Sequence, residues 1–224
     1  MARQSPYEAA IPDVLGDLHP RLRLYFSAIP RGSVGWGEGI FRTVGTPRRW
    51  VWPVLAILAR FGILFPTWQR DVPFTVENRP SEDQRGRPAV AAIRTFRLAE
   101  RGSTSRRPRR MVDAITAEGD FLTDRLGVGE PLWARFGARS EAGALLLRST
   151  GVAVRVGARR IPIPRALSPR VTLREAFDES IDQQRVDVTV SLPLVGLVYE
   201  YRGVFRYEIR PDRPGSEGSH TATA

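Results

Sequence analysis

The spacing of hydrophobic positions changes character near residue 70. Ahead of it the chain reads as short helices and one glycine-rich strand. Ser5-Pro6-Tyr7-Glu8 has the form of a capping box, with Ser5 as N-cap, Pro6 in the first helical position and Glu8 in the third. It predicts a short helix that stops near Gly16. His19-Pro20 opens a second helical turn through residues 21–26, with His19 as a capping or packing residue. In residues 33–43, Gly35, Gly37 and Gly39 alternate with Trp36, Glu38 and Ile40. That period of two predicts a strand with one bare face, against which the following helix would pack closely.

That helix is the most apolar stretch, residues 50–65, WVWPVLAILARFGILF, interrupted by Pro53 and Arg60. A membrane span needs about 20 apolar residues, so the stretch is too short to cross. A buried helix over 51–64 is expected. The alternative is an interfacial helix flanked by Arg48, Arg49 and Arg70.

Beyond residue 70 the pattern is strand-like almost throughout. Val72, Phe74 and Val76 alternate with polar or turn-forming neighbours. Further strands are predicted over 90–99, 111–117, 132–139, 144–150, 152–156, 159–164, 171–177 and 186–192. A last one carries Tyr199, Tyr201, Phe205 and Tyr207 on one face. Helices followed by eight to ten antiparallel strands predict an α+β fold. N-terminal helices would precede a large curved antiparallel sheet, or partial barrel, packed around the apolar helix. Residues 1–210 are expected to form one domain and 211–224 a disordered tail.

Composition removes whole classes of chemistry. The 224 residues contain no Cys and two His, and all 34 basic residues are Arg. Disulfides, thiolate nucleophiles, cysteine metal sites, Schiff bases and a phosphate-binding lysine are excluded. His220 lies in the polar tail, so no site with two histidines can form, and no metal or cofactor is expected. Any catalysis would fall to carboxylates, Tyr, Ser, Thr or Arg. Ser149 has too little histidine around it to be read as a triad serine.

The net charge is +10, and residues 79–110 concentrate it, with ten Arg against Glu82, Asp83 and Glu100. Residues 100–110, ERGSTSRRPRR, are expected to form an exposed loop, with contact to phosphate or anionic lipid as the functional alternative. No aromatic residue interleaves these arginines, so no specific nucleic-acid partner is expected. The N-terminus carries no apolar leader, which points to the cytoplasm, with attachment to the inner face of the membrane as the variant reading.

Charged residues on apolar strand faces mark the candidate site. Arg94 shares a face with Val90, Ala92, Phe96 and Leu98, and Glu175 shares one with Val171, Leu173 and Phe177. Asp71 and Asp113 also fall at or inside strands. A buried Arg needs a carboxylate, so Arg94 is expected to pair with Glu175, or else with Asp113 or Asp71. Such a group is either a structural pair or a polar patch in an apolar cavity, with Arg94 binding an acidic head group and Tyr199 and Tyr201 in the lining.

The segments SPYEAA, LHPRLRLYF, GWGEGIF, RDVPFTVEN, RTFRL, MVDAI, LRSTG, IPIPRALSPRV and PLVGLVYEYRGVF together resemble a bacterial domain-of-unknown-function family common in actinobacteria and bacilli. In some members that domain follows a saccharopine-dehydrogenase-like Rossmann domain. The resemblance implies one domain and a dehydrogenase partner acting in trans. The expected function is a non-catalytic binding module for an apolar or amphiphilic small molecule, accessory to an oxidoreductase. Two alternatives stand beside it. One is an enzyme or enzyme subunit using carboxylate acid–base chemistry, with Glu175 or Asp113 as base. The other is a protein attached peripherally to an anionic membrane.

Overall fold

Ser5 caps the first helix as its sequence predicts. In the computed structural model, which describes residues 4–100, 102, 105–157 and 159–212, the Ser5 hydroxyl accepts from the Glu8 amide while the Glu8 carboxylate accepts from the Ser5 amide. The helix is short because Pro12 has no amide hydrogen to continue it. Two helices result, α1 (Pro6–Ala10) and α2 (Pro12–Gly16). The His19 ring accepts from the Arg21 amide and starts α3 (Pro20–Phe26). Ser5 also donates to the Phe26 carbonyl at 2.6 Å, which ties the start of α1 to the end of α3.

Twelve strands follow: β1 (Ser33–Gly45), β2 (Trp68–Gln69), β3 (Val72–Glu82), β4 (Pro88–Ala99), β5 (Arg106–Glu118), β6 (Phe121–Leu126), β7 (Leu132–Glu141), β8 (Ala144–Val156), β9 (Arg159–Pro162), β10 (Arg170–Asp178), β11 (Gln183–Leu192) and β12 (Gly196–Pro211). The single apolar helix, α4 (Trp52–Arg60), lies between β1 and β2. All pairings are antiparallel, in the order β10-β11-β12-β1-β3-β4-β5-β6-β7-β8. The path closes where Thr172 to Glu175 of β10 pair with Arg148 to Leu145 of β8. β9 leaves the ring on the outer part of β8, and β2 pairs with the end of β1.

The expected α+β architecture is therefore overturned. Strand takes up 58% and helix 14% of the structure, and ten strands close into a barrel rather than curving as an open sheet. Closure satisfies edge amides and carbonyls that an open sheet of this width would leave exposed. Three strand boundaries also differ from expectation. β6 was not foreseen. Residues 144–156 form one strand, bulged near Thr150, instead of two. Residues 106–110 of the basic segment are paired along β5, so they are not loop.

Inside the ring, the bare face of β1 is filled by its neighbours. A Cβ on Gly35 would lie 1.7 Å from the Tyr207 hydroxyl, and one on Gly39 would lie 2.0 Å from the Val204 carbonyl oxygen. The close approach is by β12, where a helix was expected. Phe41, Phe74, Phe96, Tyr201 and Phe205 pack ring to ring across the lumen.

Two helical caps cover the ends. Leu15, Leu18, Leu22 and Phe26 from α2, α3 and the link between them bury against Leu122, Phe136, Leu145 and Leu147 at the end that holds the β3–β4, β5–β6, β7–β8 and β10–β11 turns. The His19 amide donates to the Gly143 carbonyl of the β7–β8 turn there. At the opposite end α4 lies across the opening. The helix and the 3-10 turn before it (Arg49–Val51) direct Leu55 and Val51 inward against the lumen core and leave Trp50, Val54 and Ile57 exposed. The helix caps the barrel and does not occupy its interior. No helix among the described residues is long and apolar enough to cross a membrane. Pro211, expected to open the tail, still pairs with Ser33, and residues 213–224 lie outside the described residues.

Candidate functional site

Strand parity carries charge into the lumen. Along β4 the side chains of Ala92, Arg94, Phe96 and Leu98 share the inward face, and the Arg94 guanidinium forms an ion pair with Asp113 of β5. Asp113 is buried to 3% side-chain exposure. Leu122, Asp124 and Leu126 of β6 share a face, and Asp124 lies close enough to Asp113 and Arg94 to feel both charges. Glu175 of β10 is buried and accepts a hydrogen bond from the Gln184 side chain of β11.

These groups meet aromatic walls. A cavity of about 20 Å³ lies between Arg94 and Glu175, lined also by Tyr25, Phe41, Tyr201 and Phe205. That is room for about one water molecule. Tyr25 reaches it from α3, standing edge-on to Tyr207 at 4.5 Å and to Phe205 at 5.8 Å. The cap of α1–α3 thus inserts one side chain into the lumen. Tyr7, from α1, packs half-buried against Phe26 at 4.6 Å.

Electrostatics in the cluster follow from burial. Three carboxyls face one guanidinium, in a setting where an isolated charge is costly. Burial works against the Arg94 charge, but Asp113 together with Tyr201, Tyr25 and Asp124 outweighs it and holds the guanidinium protonated, with its pKa raised. Burial pushes the Asp113 carboxyl up while Arg94 opposes that push. Asp124 is pushed well up, first by burial and then by the Asp113 charge. Burial brings Glu175 to about 7, against the opposing Gln184 hydrogen bond and Arg94 charge. The site therefore offers one ion pair, an Asp124 whose ionisation is disfavoured and a Glu175 poised near neutral pH to gain or lose a proton. Among the described residues, Oδ1 of Asp124 has no hydrogen-bond partner although it is buried.

The residues expected from sequence divide accordingly. Arg94, Asp113, Glu175 and Tyr201 are brought together. The partner of Arg94 is Asp113, the second choice, since Glu175 is engaged by Gln184. Asp71 does not join. It sits exposed in the turn before β3, at φ 50°, with its amide bonded to the Arg42 carbonyl. Tyr199 is buried toward the α4 end beside the Phe65 backbone, away from the cavity. His19 caps α3 and stacks on Phe177 at 4.7 Å, outside the cluster. Sequence reasoning missed Asp124, Gln184 and Tyr25. Asp124 was detectable by the reasoning that found Arg94, because it alternates with Leu122 and Leu126. Among the described residues no group of His, Cys, Asp and Glu is arranged to hold a metal ion.

Compared with known proteins, residues 18–205 match the family model described as "Domain of unknown function (DUF4166)". No curated protein matches the chain.

Proposed function

We propose that this chain, which belongs to the DUF4166 family, is a non-catalytic binding barrel for an apolar or amphiphilic small molecule. The barrel is a fold compatible with that role. The observation that carries the proposal is the cavity between Arg94 and Glu175, where polar heads converge inside an aromatic lumen. Arg94 is already engaged by Asp113, and the remaining acids lean toward protonation. The site therefore suits a head group that exchanges hydrogen bonds, such as a hydroxyl, carbonyl or amide, better than a free carboxylate. A ligand larger than water enters only when Tyr25 leaves the lumen, so binding is tied to movement of α3. A dehydrogenase acting in trans, in a bacterial cytoplasm, would be the consumer or supplier of the ligand. That part rests on the sequence resemblance.

The test is native mass spectrometry of protein purified from a bacterial host, repeated on Tyr25→Ala. A co-purified metabolite or lipid, enriched in the variant and lost in Arg94→Met/Asp113→Leu, supports the reading. Two clean apoprotein spectra, with no thermal shift across a panel of apolar alcohols, ketones and amides, would overturn it. A second reading, acid–base catalysis, is favoured by one observation: Glu175 titrates near 7 beside Tyr25 in a water-poor site. Turnover abolished by Glu175→Gln, with binding retained, would select it.

A further inference from the structure

The outer face of α4 is apolar where a capping helix should be polar. Trp50, Val54, Ile57 and Phe61 follow one another at helical spacing and all are exposed, Trp50 by 60% and Ile57 by 59%. Other connections at this end add to the patch. Val128, in the β6–β7 turn, donates its amide to the Phe61 carbonyl at 2.7 Å and is itself exposed. Leu194 is fully exposed at the tip of the β11–β12 turn, and β12 pairs there with the last residue of β1, from which the chain runs on to α4. Apolar side chains thus crown one end of the barrel, on separate elements.

Charge identifies what would cover them. Residues 39–70 hold five Arg and no Asp or Glu. Arg48, Arg49, Arg60 and Arg70 are exposed, and none has an ion pair among the described residues. The β4–β5 connection, joined to this end by the Gln69 and Ala99 hydrogen bonds, leads into Arg106, Arg107, Arg109 and Arg110, all exposed. At the far end the signs are mixed and mutually satisfied: Asp83 and Glu118 pair with Arg87, Asp178 with Arg185 and Asp182 with Arg21. A second copy docked through α4 would set arginine against arginine, and an acidic protein would be matched by the charges but not by a crown of apolar tips.

We infer that the α4 end is a docking face for an anionic lipid bilayer. Trp50, Val54, Ile57 and Leu194 insert at the boundary between headgroups and acyl chains, the arginines contact the phosphates, and the end capped by α1–α3 faces away. The surface reading is independent of any ligand in the lumen, so either can fail alone.

Vesicle co-sedimentation of the full chain tests it, using phosphatidylcholine alone and phosphatidylcholine with an equal part of phosphatidylglycerol. Binding to the mixed vesicles only is expected, with a blue shift of tryptophan emission. It should be lost at about 1 M salt, where screening shortens to about 3 Å. Arg48→Gln and Arg60→Gln should each weaken binding about fivefold. Val54→Asp/Ile57→Asp should abolish it, and Leu194→Asp, far from α4 in sequence, should weaken it too. All four are surface changes, so unaltered melting curves are expected and certify the comparison. Three results would each overturn the inference: no binding to mixed vesicles, equal binding by Val54→Asp/Ile57→Asp, or a wild-type dimer that this variant dissociates.

Discussion

Arg94 and Asp113 form their ion pair on a diagonal. In the β4–β5 ladder Arg94 stands opposite Met111, and Asp113 stands opposite Ala92. The long arginine side chain bridges two residues along the strand, which an aspartate directly opposite would not require. Arg94→Ala should cost about 3–5 kcal/mol, because Asp113 and Asp124 would remain buried without a cation. Arg94→Met/Asp113→Leu should recover much of that loss, measured by denaturant unfolding. A single variant within about 0.5 kcal/mol of wild type would mean that solvent reaches the pair.

Glu175 sets a pH dependence with a definite sign. Its pKa rises from 4.5 to about 7 on folding, so between these values the folded chain binds the proton more tightly than the unfolded chain. The protonated residue's contribution is complete below pH 4.5 and is lost as pH rises through about 7. Its size is about 3 kcal/mol. Stability of the wild type relative to Glu175→Gln should fall across that window and level off above it. A difference that does not vary with pH would show that Glu175 is solvated.

Gly35 and Gly39 of β1 are not equivalent to other glycines in the barrel. Gly39→Ala would drive a methyl against the Val204 backbone oxygen, which cannot move without breaking the β1–β12 ladder. A loss above about 3 kcal/mol is expected. Gly35→Ala meets the end of the Tyr207 side chain, which can swing, so its cost should be smaller. Gly151→Ala has open space around it and should change stability by less than about 1 kcal/mol. Equal melting temperatures for Gly39→Ala and Gly151→Ala would contradict this contact geometry.

Tyr25→Ala should open the lumen from the α3 side. The truncation should cost about 3–5 kcal/mol. The enlarged cavity should then bind a small aromatic probe such as phenol, seen as a melting-temperature rise absent from the wild type. Loss of stability without probe binding would mean that the walls collapse into the space.

Local periodicity made most elements legible, and the closure was not local. Alternation along residues 72–76, 90–99 and 171–177 marked strands and pointed to Arg94 and Glu175 as charges on apolar faces. It also placed the capping box at Ser5 and the cap at His19. β6 escaped because it is six residues long and carries Asp124 and Arg125 in its middle. The β8–β10 pairing bypasses β9, so nothing in the order of strands announces a closed ring. Asp71 was misplaced because the strand begins one residue later and a left-handed turn directs the chain away. The apolarity of 51–64 was legible, but its direction was not. An α-helix that is apolar on both sides carries no signal for which side meets the core.

The seam between β1 and β12 has a consequence for biosynthesis. Among the described strands β1 comes first in the chain, and one of its two neighbours in the ring, β12, comes last. Until residues 196–211 leave the ribosome, the nascent sheet has a free edge along β1 from Ser33 to Gly45. That edge is rich in glycine and offers unpaired amides to any passing chain. Folding of this domain is therefore governed by long-range pairing, and its slow step should be the docking of the hairpin formed by β11 and β12. Chaperones that hold exposed strands would matter most during the interval between synthesis of β1 and arrival of β12.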